Sequence, residues 1–471
     1  MDDLLTYDAL GQAALVAARQ VSAAELLEAA IARAAAVDPA LNFMAQPLYE
    51  RARAAAAASF SGPFAGVPFL VKDLHMHIAG ERSSEGSRLW DNYRPDYTST
   101  LFERFAAAGL NSFGKTTTPE MGLTVTTESK ATGLTRNPWN LAHSAGGSSG
   151  GAACAVAAGV VPIAHASDGG GSIRCPASAC GLFGLKPSRG RVPMGPHHTE
   201  SWLGMTVHHA VSRSVRDSAA LLDAIHGSEP GSRYTAPAPD GSFLSHAGRD
   251  PGRLRIALML VPSTGVAVDP EVVAAMLAAA KLLESLGHHV EEAAPNVSGA
   301  ELGTAMTAII GASTAAEVAG RLRQIGRDDA GDDIELVTQM WVHIGKSTSA
   351  LQLVAANDAC QRAAVTVAQF QAHYDIILSP VFAHPPIELG KIDLSPPDMA
   401  EWTRNILGYS PFTALANQTG QPAMSLPLGM SRAGLPIGVM ATGRYGDEAL
   451  LFRLAGQLER AAPWAARRAT V

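Results

Sequence analysis

Residues 146–174 read GGSSGGAACAVAAGVVPIAHASDGGGSIR, and the fold is decided by how this stretch is taken. It is the centre of a stretch, from about Ala131 to Gly190, that is crowded with Gly and Ser and almost free of long polar side chains, a composition that in isolation suits a linker. A linker has no need of the apolar segments Ala152–Val161, Ile173 and Leu182–Leu185 that are interleaved with it. The run from Gly150 to Ala166 is Ala- and Gly-rich and broken by Pro162. A spanning helix requires about 20 strongly apolar residues. The run therefore reads as a buried helix followed by a buried strand.

Outward from this stretch, helical and strand patterns alternate along the chain. Ser22 and Glu25 have the capping-box spacing before the apolar face Leu26, Leu27, Ala30 and Ile31. Gly66–Val71 predicts a short buried strand ending at Lys72-Asp73, and 98–108 a helix stopped by Gly109. Ser214 and Asp217 open a helix closed by Gly227, and residues 228–253, rich in Gly, Pro, Ser and Asp, predict a surface crossing. A β-α-β pattern follows: Leu254–Leu260, a helix opening at Asp269-Pro270 and ending at Gly287, then Val290. Helical patterns fill roughly 300–371 and Asp375–Leu378 is a buried strand. Ser425–Gly429 is expected to be turn-rich, and a last helix runs from about Asp447 to Ala461. Strands mixed with helices throughout predict an α/β architecture around one sheet.

Composition narrows the function. The chain has 471 residues, 47% hydrophobic and 17% charged, with a formal net charge of −7. That is ample for a large core and gives nucleic acid or an anionic membrane surface no basic footprint. Four cysteines without a CxxC pair (Cys154, Cys175, Cys180, Cys360) are expected to be free thiols in a reducing compartment. Met1-Asp2-Asp3 is acidic where a signal peptide would be basic. The expectation is a soluble, cytoplasmic protein.

Three segments carry chemistry: Val71-Lys72-Asp73; Gly146–Gly151; and Ser167–Arg174. A serine hydroxyl needs a base and an anion-stabilising pocket to act as a nucleophile. Three glycines before Ser172 let successive backbone N–H groups turn toward one point. A lysine closing a buried apolar strand is desolvated, which favours its neutral, proton-accepting form. Singly, each feature is ordinarily structural: a lysine after a strand is a solvated end, and glycine runs are turns. The combination is what directs the reading.

With Gly184-Leu185-Lys186-Pro187 behind them, these segments resemble the signature of the amidase-signature family. Gly114-Lys115-Thr116, Thr118-Pro119-Glu120, Arg136-Asn137-Pro138-Trp139-Asn140 and Gly434-Leu435-Pro436-Ile437-Gly438 extend the likeness over nearly the whole chain. Gly62–Pro68, Ala164-His165 and Pro436-Ile437-Gly438 look nearest to the 6-aminohexanoate-cyclic-dimer hydrolase type. The resemblance implies a single large α/β domain over 1–471, a mixed, twisted central sheet covered by helices on both faces. Its signature core would span about 60–230 and a helical cap about 295–371. It implies hydrolysis of a C–N bond in a linear or cyclic amide, with water, no metal and no cofactor, and often as a homodimer. Low charge around the signature, with no arginine placed for a substrate carboxylate, makes a small, fairly neutral amide the expectation.

Position by position, the resemblance makes Ser172 the nucleophile. Ser148, behind a cis peptide from Gly147, would be the proton relay and Lys72 the general base and later acid. The oxyanion hole would be the amides of Gly169, Gly170, Gly171 and Ser172. Asp168, Arg174 and Ser149 would support the loop. Loops around Thr124–Glu128, with Thr126 and Gly147, the cap near Ile310, and Asn405–Phe412 would shape the substrate pocket. His165 departs from the family's common pattern. The same apparatus serves carbamate, anilide or ester hydrolysis, or an amidotransferase subunit working with partner chains.

Three rival patterns fail on context. Gly109–Thr116 fits GxxxxGK[ST], yet a helix precedes it and Thr117-Thr118-Pro119 is a poor helix start, so Lys115 reads as structural. Gly146–Gly150 fits GxSxG, but no hydrophobic strand precedes it, and no histidine follows His384 to serve as partner. His75 and His77, expected on one strand face, and His208-His209 lack a carboxylate cluster or HExxH and read as pocket or surface histidines.

Overall fold

The structure is a computed structural model in which residues 2–469 are described. An eight-stranded mixed sheet runs, in spatial order, His289–Glu292, Arg255–Leu258, Ile376–Pro380, Pro436–Thr442, Ala423–Met430, Phe183–Lys186, Val207–Ser212 and Ile163–Asp168. The first three are mutually parallel, as the β-α-β pattern requires, and every later pairing is antiparallel. A smaller sheet, Met44–Pro47, Asn111–Thr116 and Pro68–Lys72, ends on the strand that carries Lys72.

Strands covered on both faces are apolar at consecutive positions, because successive side chains enter different cores. Ile376 and Leu378 pack with Phe105, Leu222, Leu283 and Leu454, whereas Ile377, between them, packs with Cys175, Ile310 and Phe382. Likewise Ile163 joins the first of these cores, while Ala164 and Ala166 join a third with Leu27, Ala30 and Val156. The expected helices are present: Ser22 and Glu25 form the capping box of Ala23–Leu41, and Ser214 caps Val215–Ile225. Asp269 caps Pro270–Ser285, with proline in its first turn. The run from Gly150 resolves into helix Gly150–Ala157 and strand Ile163–Asp168.

Two local expectations are corrected. Ser425–Gly429 is not a turn but lies within strand Ala423–Met430, a central member of the sheet whose shifted register around Pro427 absorbs the missing N–H. His75 and His77 are not on a strand, because pairing stops at Lys72 and His75 adopts a positive φ of 54°.

The helices Gly299–Ile325, Leu336–Ser347 and Ala350–Phe370 pack together. Gly311 and Gly345 face each other there, and a Cβ on Gly345 would fall 2.0 Å from the Gly311 carbonyl oxygen. Gly299–Ile325 is also long and apolar enough to cross a membrane by length and composition. In this fold its Leu302, Ile309, Ile310 and Val318 are buried against protein.

Candidate active site

Lys72 closes a strand, Pro68–Lys72, whose five residues are all buried. The apolar pattern that makes the strand also carries the lysine out of water, and its side chain is fully enclosed. Its Nζ lies 2.7 Å from Ser148 Oγ and 3.0 Å from Ser167 Oγ. Burial lowers its pKa to about 7, against the opposing pull of Asp168 and Glu85. A lysine there is poised to exchange a proton near neutrality.

Ser148 follows a cis peptide from Gly147 and stands just before helix Gly150–Ala157. Gly147 is pressed so closely on the 126 backbone that a Cβ would lie 2.2 Å from the Thr126 carbonyl oxygen. Only glycine fits. Ser149 ties this turn to strand Ile163–Asp168, its Oγ donating to the Ser167 carbonyl and accepting from the Ser167 amide.

Ser172 sits between strand Ile163–Asp168 and helix Arg174–Cys180. Unlike Lys72 and Ser148, it is only partly buried. Its loop is held from beneath by Asp168, fully buried, whose carboxylate accepts from the Gly171 amide at 2.7 Å, the Ile173 amide at 3.1 Å and Asn417 Nδ2 at 2.8 Å. Arg174 grips the same carboxylate with Nε and Nη2, both at 3.0 Å. Burial alone would raise the Asp168 pKa, but the guanidinium holds it well below the usual carboxylate range. Arg174 also donates to the Thr413 carbonyl and to Asn417 Oδ1.

This arrangement corrects one assignment. The Gly171 N–H is committed to Asp168 and does not face an oxyanion. Gly171 is needed instead for its φ of 138° and for room, since a Cβ would come 2.5 Å from Thr413 Oγ1. Among the described residues, the amides of Gly169, Gly170 and Ser172 donate to no protein acceptor and are the three free for that purpose.

The expected pocket residues divide. Thr126 is fully buried with its hydroxyl donating to the Ile392 carbonyl at 2.6 Å, and Gly147 packs against its backbone. Ile310, on helix Gly299–Ile325, packs with Met121, Leu123 and Phe382. Near the loop that carries Ser172 lies a cavity of about 580 Å3 whose lining includes His75, His77, Glu85, Trp202, His208 and Glu317. Trp202 borders it and packs on Gly169, 2.9 Å from where a Cβ would be. His75 bridges the loop after Lys72 to helix Gly299–Ile325 through Glu317, at 2.9 Å. No group of three or more His, Cys, Asp or Glu among the described residues could hold a metal ion.

Lys115, in the phosphate-loop lookalike, is enclosed and binds Asp73 Oδ1 at 3.1 Å and the Arg82 carbonyl at 2.7 Å. It fastens the small sheet. Sequence reading placed Ser167 at the head of a chemistry-bearing segment without giving it a role, and missed Thr413 and Asn417. Ser167 had a signal, since it follows His165 by two on one strand face. Thr413 and Asn417 stand more than 230 residues from the loop they support, with nothing local to mark them.

Against known proteins, the family model described as Amidase matches residues 25–452. The chain is 40% identical to the 6-aminohexanoate-cyclic-dimer hydrolase of Paenarthrobacter ureafaciens, covering 98% of this chain and 96% of that one. The solved structure of a 6-aminohexanoate cyclic dimer hydrolase superposes with a TM-score of 0.94 over 99% of both chains at 40% identity. A bacterial aryl acylamidase of the amidase-signature family gives 0.88 at 28% identity, over 98% of this chain and 97% of that one. The chain belongs to the amidase-signature family and is a hydrolase of amide C–N bonds.

Proposed function

We propose that the chain cleaves a small, neutral, linear or cyclic amide through an acyl-enzyme on Ser172. The observation that carries the mechanism is Lys72, fully enclosed, with a pKa near 7 and 2.7 Å from Ser148 Oγ. Neutral Lys72 takes the Ser148 proton as Ser148 takes that of Ser172, whose Oγ bonds to the carbonyl carbon. The amides of Gly169, Gly170 and Ser172 receive the oxyanion. The C–N bond then breaks as the proton returns through Ser148 to the leaving nitrogen, and water hydrolyses the ester to the acid. Support for a neutral substrate comes from Trp202 and Met306, which lie against Gly169 and Gly170. The relatives named for a cyclic amide make such compounds the first to try, with carbamates, anilides and esters as comparators. The same reading places the enzyme in the cytoplasm, acting on a small molecule and water.

Hydroxylamine trapping tests it. Two amides sharing an acyl part but differing in amine should give one ratio of hydroxamate to acid, since both pass through the same ester. Ratios that follow the leaving amine would rule out the common intermediate.

A further inference from the structure

The two sheets meet without a backbone ladder where Lys72 stands. Strand Pro68–Lys72 lies beside strand Ile163–Asp168, and at this seam the Lys72 amide donates to a side chain, His165 Nδ1, at 3.1 Å. Accepting at Nδ1 places the ring proton of His165 on Nε2, which stands 3.0 Å from His208 Nδ1. The two rings are nearly parallel, 8° apart, with Phe105 packed against His165. In the antiparallel register His208 opposes Ser167 and Ala210 opposes His165, so His165, Ser167 and His208 share one face. Two of these three, Ser167 by its hydroxyl and His165 by its ring, touch Lys72 directly.

An unsatisfied buried N–H costs about 1–3 kcal/mol, so a backbone amide in this position needs a partner. A neighbouring strand carbonyl would serve for a purely structural seam. An imidazole whose tautomer is fixed from behind supplies the acceptor while adding no charge beside the lysine. We propose that His165, with its tautomer set by His208, is a positioning residue for amide hydrolysis, holding Lys72 against Ser148 by accepting its backbone N–H. The inference rests on Lys72 being the base.

The charged and titratable groups around Lys72 are Asp168 and Glu85, which favour its protonated form, and His75, His165 and His208. Burial holds both His165 and His208 below the usual histidine range, so both stay neutral through the working pH. Loosening the seam exposes Lys72 to water and moves its pKa upward, toward that of a solvated amine.

The test compares His165→Leu, which fills the space without an acceptor, with His165→Asn, whose Oδ1 stands near the position of Nδ1. Both are measured for folding by thermal melt and for kcat, KM and the pH profile, beside Lys72→Ala. The expected result for His165→Leu is a kcat about 10- to 100-fold lower, as a displacement of about 1 Å produces. KM should stay within about twofold, and the acid limb of kcat/KM should move to higher pH. His165→Asn should recover most of the rate and restore the limb. Equal rates in the two folded variants, or a pH-independent loss that tracks the melting temperature, would overturn the positioning role. Activity retained in Lys72→Ala would instead overturn the base assignment beneath it.

Discussion

Arg174→Met offers the sharpest energetic test of the loop that carries Ser172. The guanidinium is fully buried and makes two parallel bonds to Asp168, both at 3.0 Å, plus bonds to the Thr413 carbonyl at 2.8 Å and Asn417 Oδ1 at 2.6 Å. Methionine keeps most of the volume and removes the charge. Asp168 would retain the Gly171 and Ile173 amides and Asn417 Nδ2, but its buried carboxylate would lose the cation paired with it. Breaking a buried pair from one side costs about 3–5 kcal/mol. In the wild type the depressed Asp168 pKa means that its contribution is complete above the unfolded carboxylate value, about 3.9, and is lost only at lower pH. In the variant, losing Arg174 removes the largest lowering influence, and burial is expected to carry the native pKa above the unfolded one. The native state then gains protons first as pH falls, so the stability gap should narrow on acidification. Thermal midpoints at pH 8 and pH 5 measure this, and adding Asp168→Asn to Arg174→Met should recover part of the loss. A loss under about 1 kcal/mol, or a gap that widens toward pH 5, would refute the reasoning.

Three further outcomes are expected. kcat/KM should rise with pH through about 7 and level off above it, because Lys72 acts as a base only once deprotonated; a rate flat from pH 5 to 8 would contradict this. Gly171→Ala should abolish activity by at least about 100-fold, because its Cβ would strike Thr413 and Cys175 and displace Ser172, read by steady-state kinetics. Lys115→Met should lower stability by about 3–5 kcal/mol, since it strands Asp73 in the core, while ATP binding by calorimetry should be undetectable in both forms.

Much of this was legible because local patterns and buried chemistry coincide. The run from Gly150 could be split into helix and strand since Pro162 breaks it, and the two become neighbours in the core beneath the Ser172 loop. Lys72 at the end of an apolar strand already signalled a desolvated amine. The sequence could not show that the Gly171 amide turns down to Asp168, because three successive glycines have the same freedom and only the third is claimed by a carboxylate. Nor could it show Thr126 buried behind the cis turn, since its partner, the Ile392 carbonyl, lies 266 residues away. Pro427 made Ser425–Gly429 look like a turn, although the shifted register lets a proline sit inside a central strand. For Thr126 the deciding partner was distant in sequence, whereas for Gly171 it lay three residues away and the choice fell among glycines that look alike.

The most direct measurement is intact mass after incubation with a fluorophosphonate, on wild type, Ser172→Ala and Ser148→Ala, with amide hydrolysis assayed alongside. A single adduct on wild type, absent from Ser172→Ala together with hydrolysis, is the expected result. An adduct that survives in Ser172→Ala and disappears from Ser148→Ala would make Ser148 the nucleophile and contradict the mechanism.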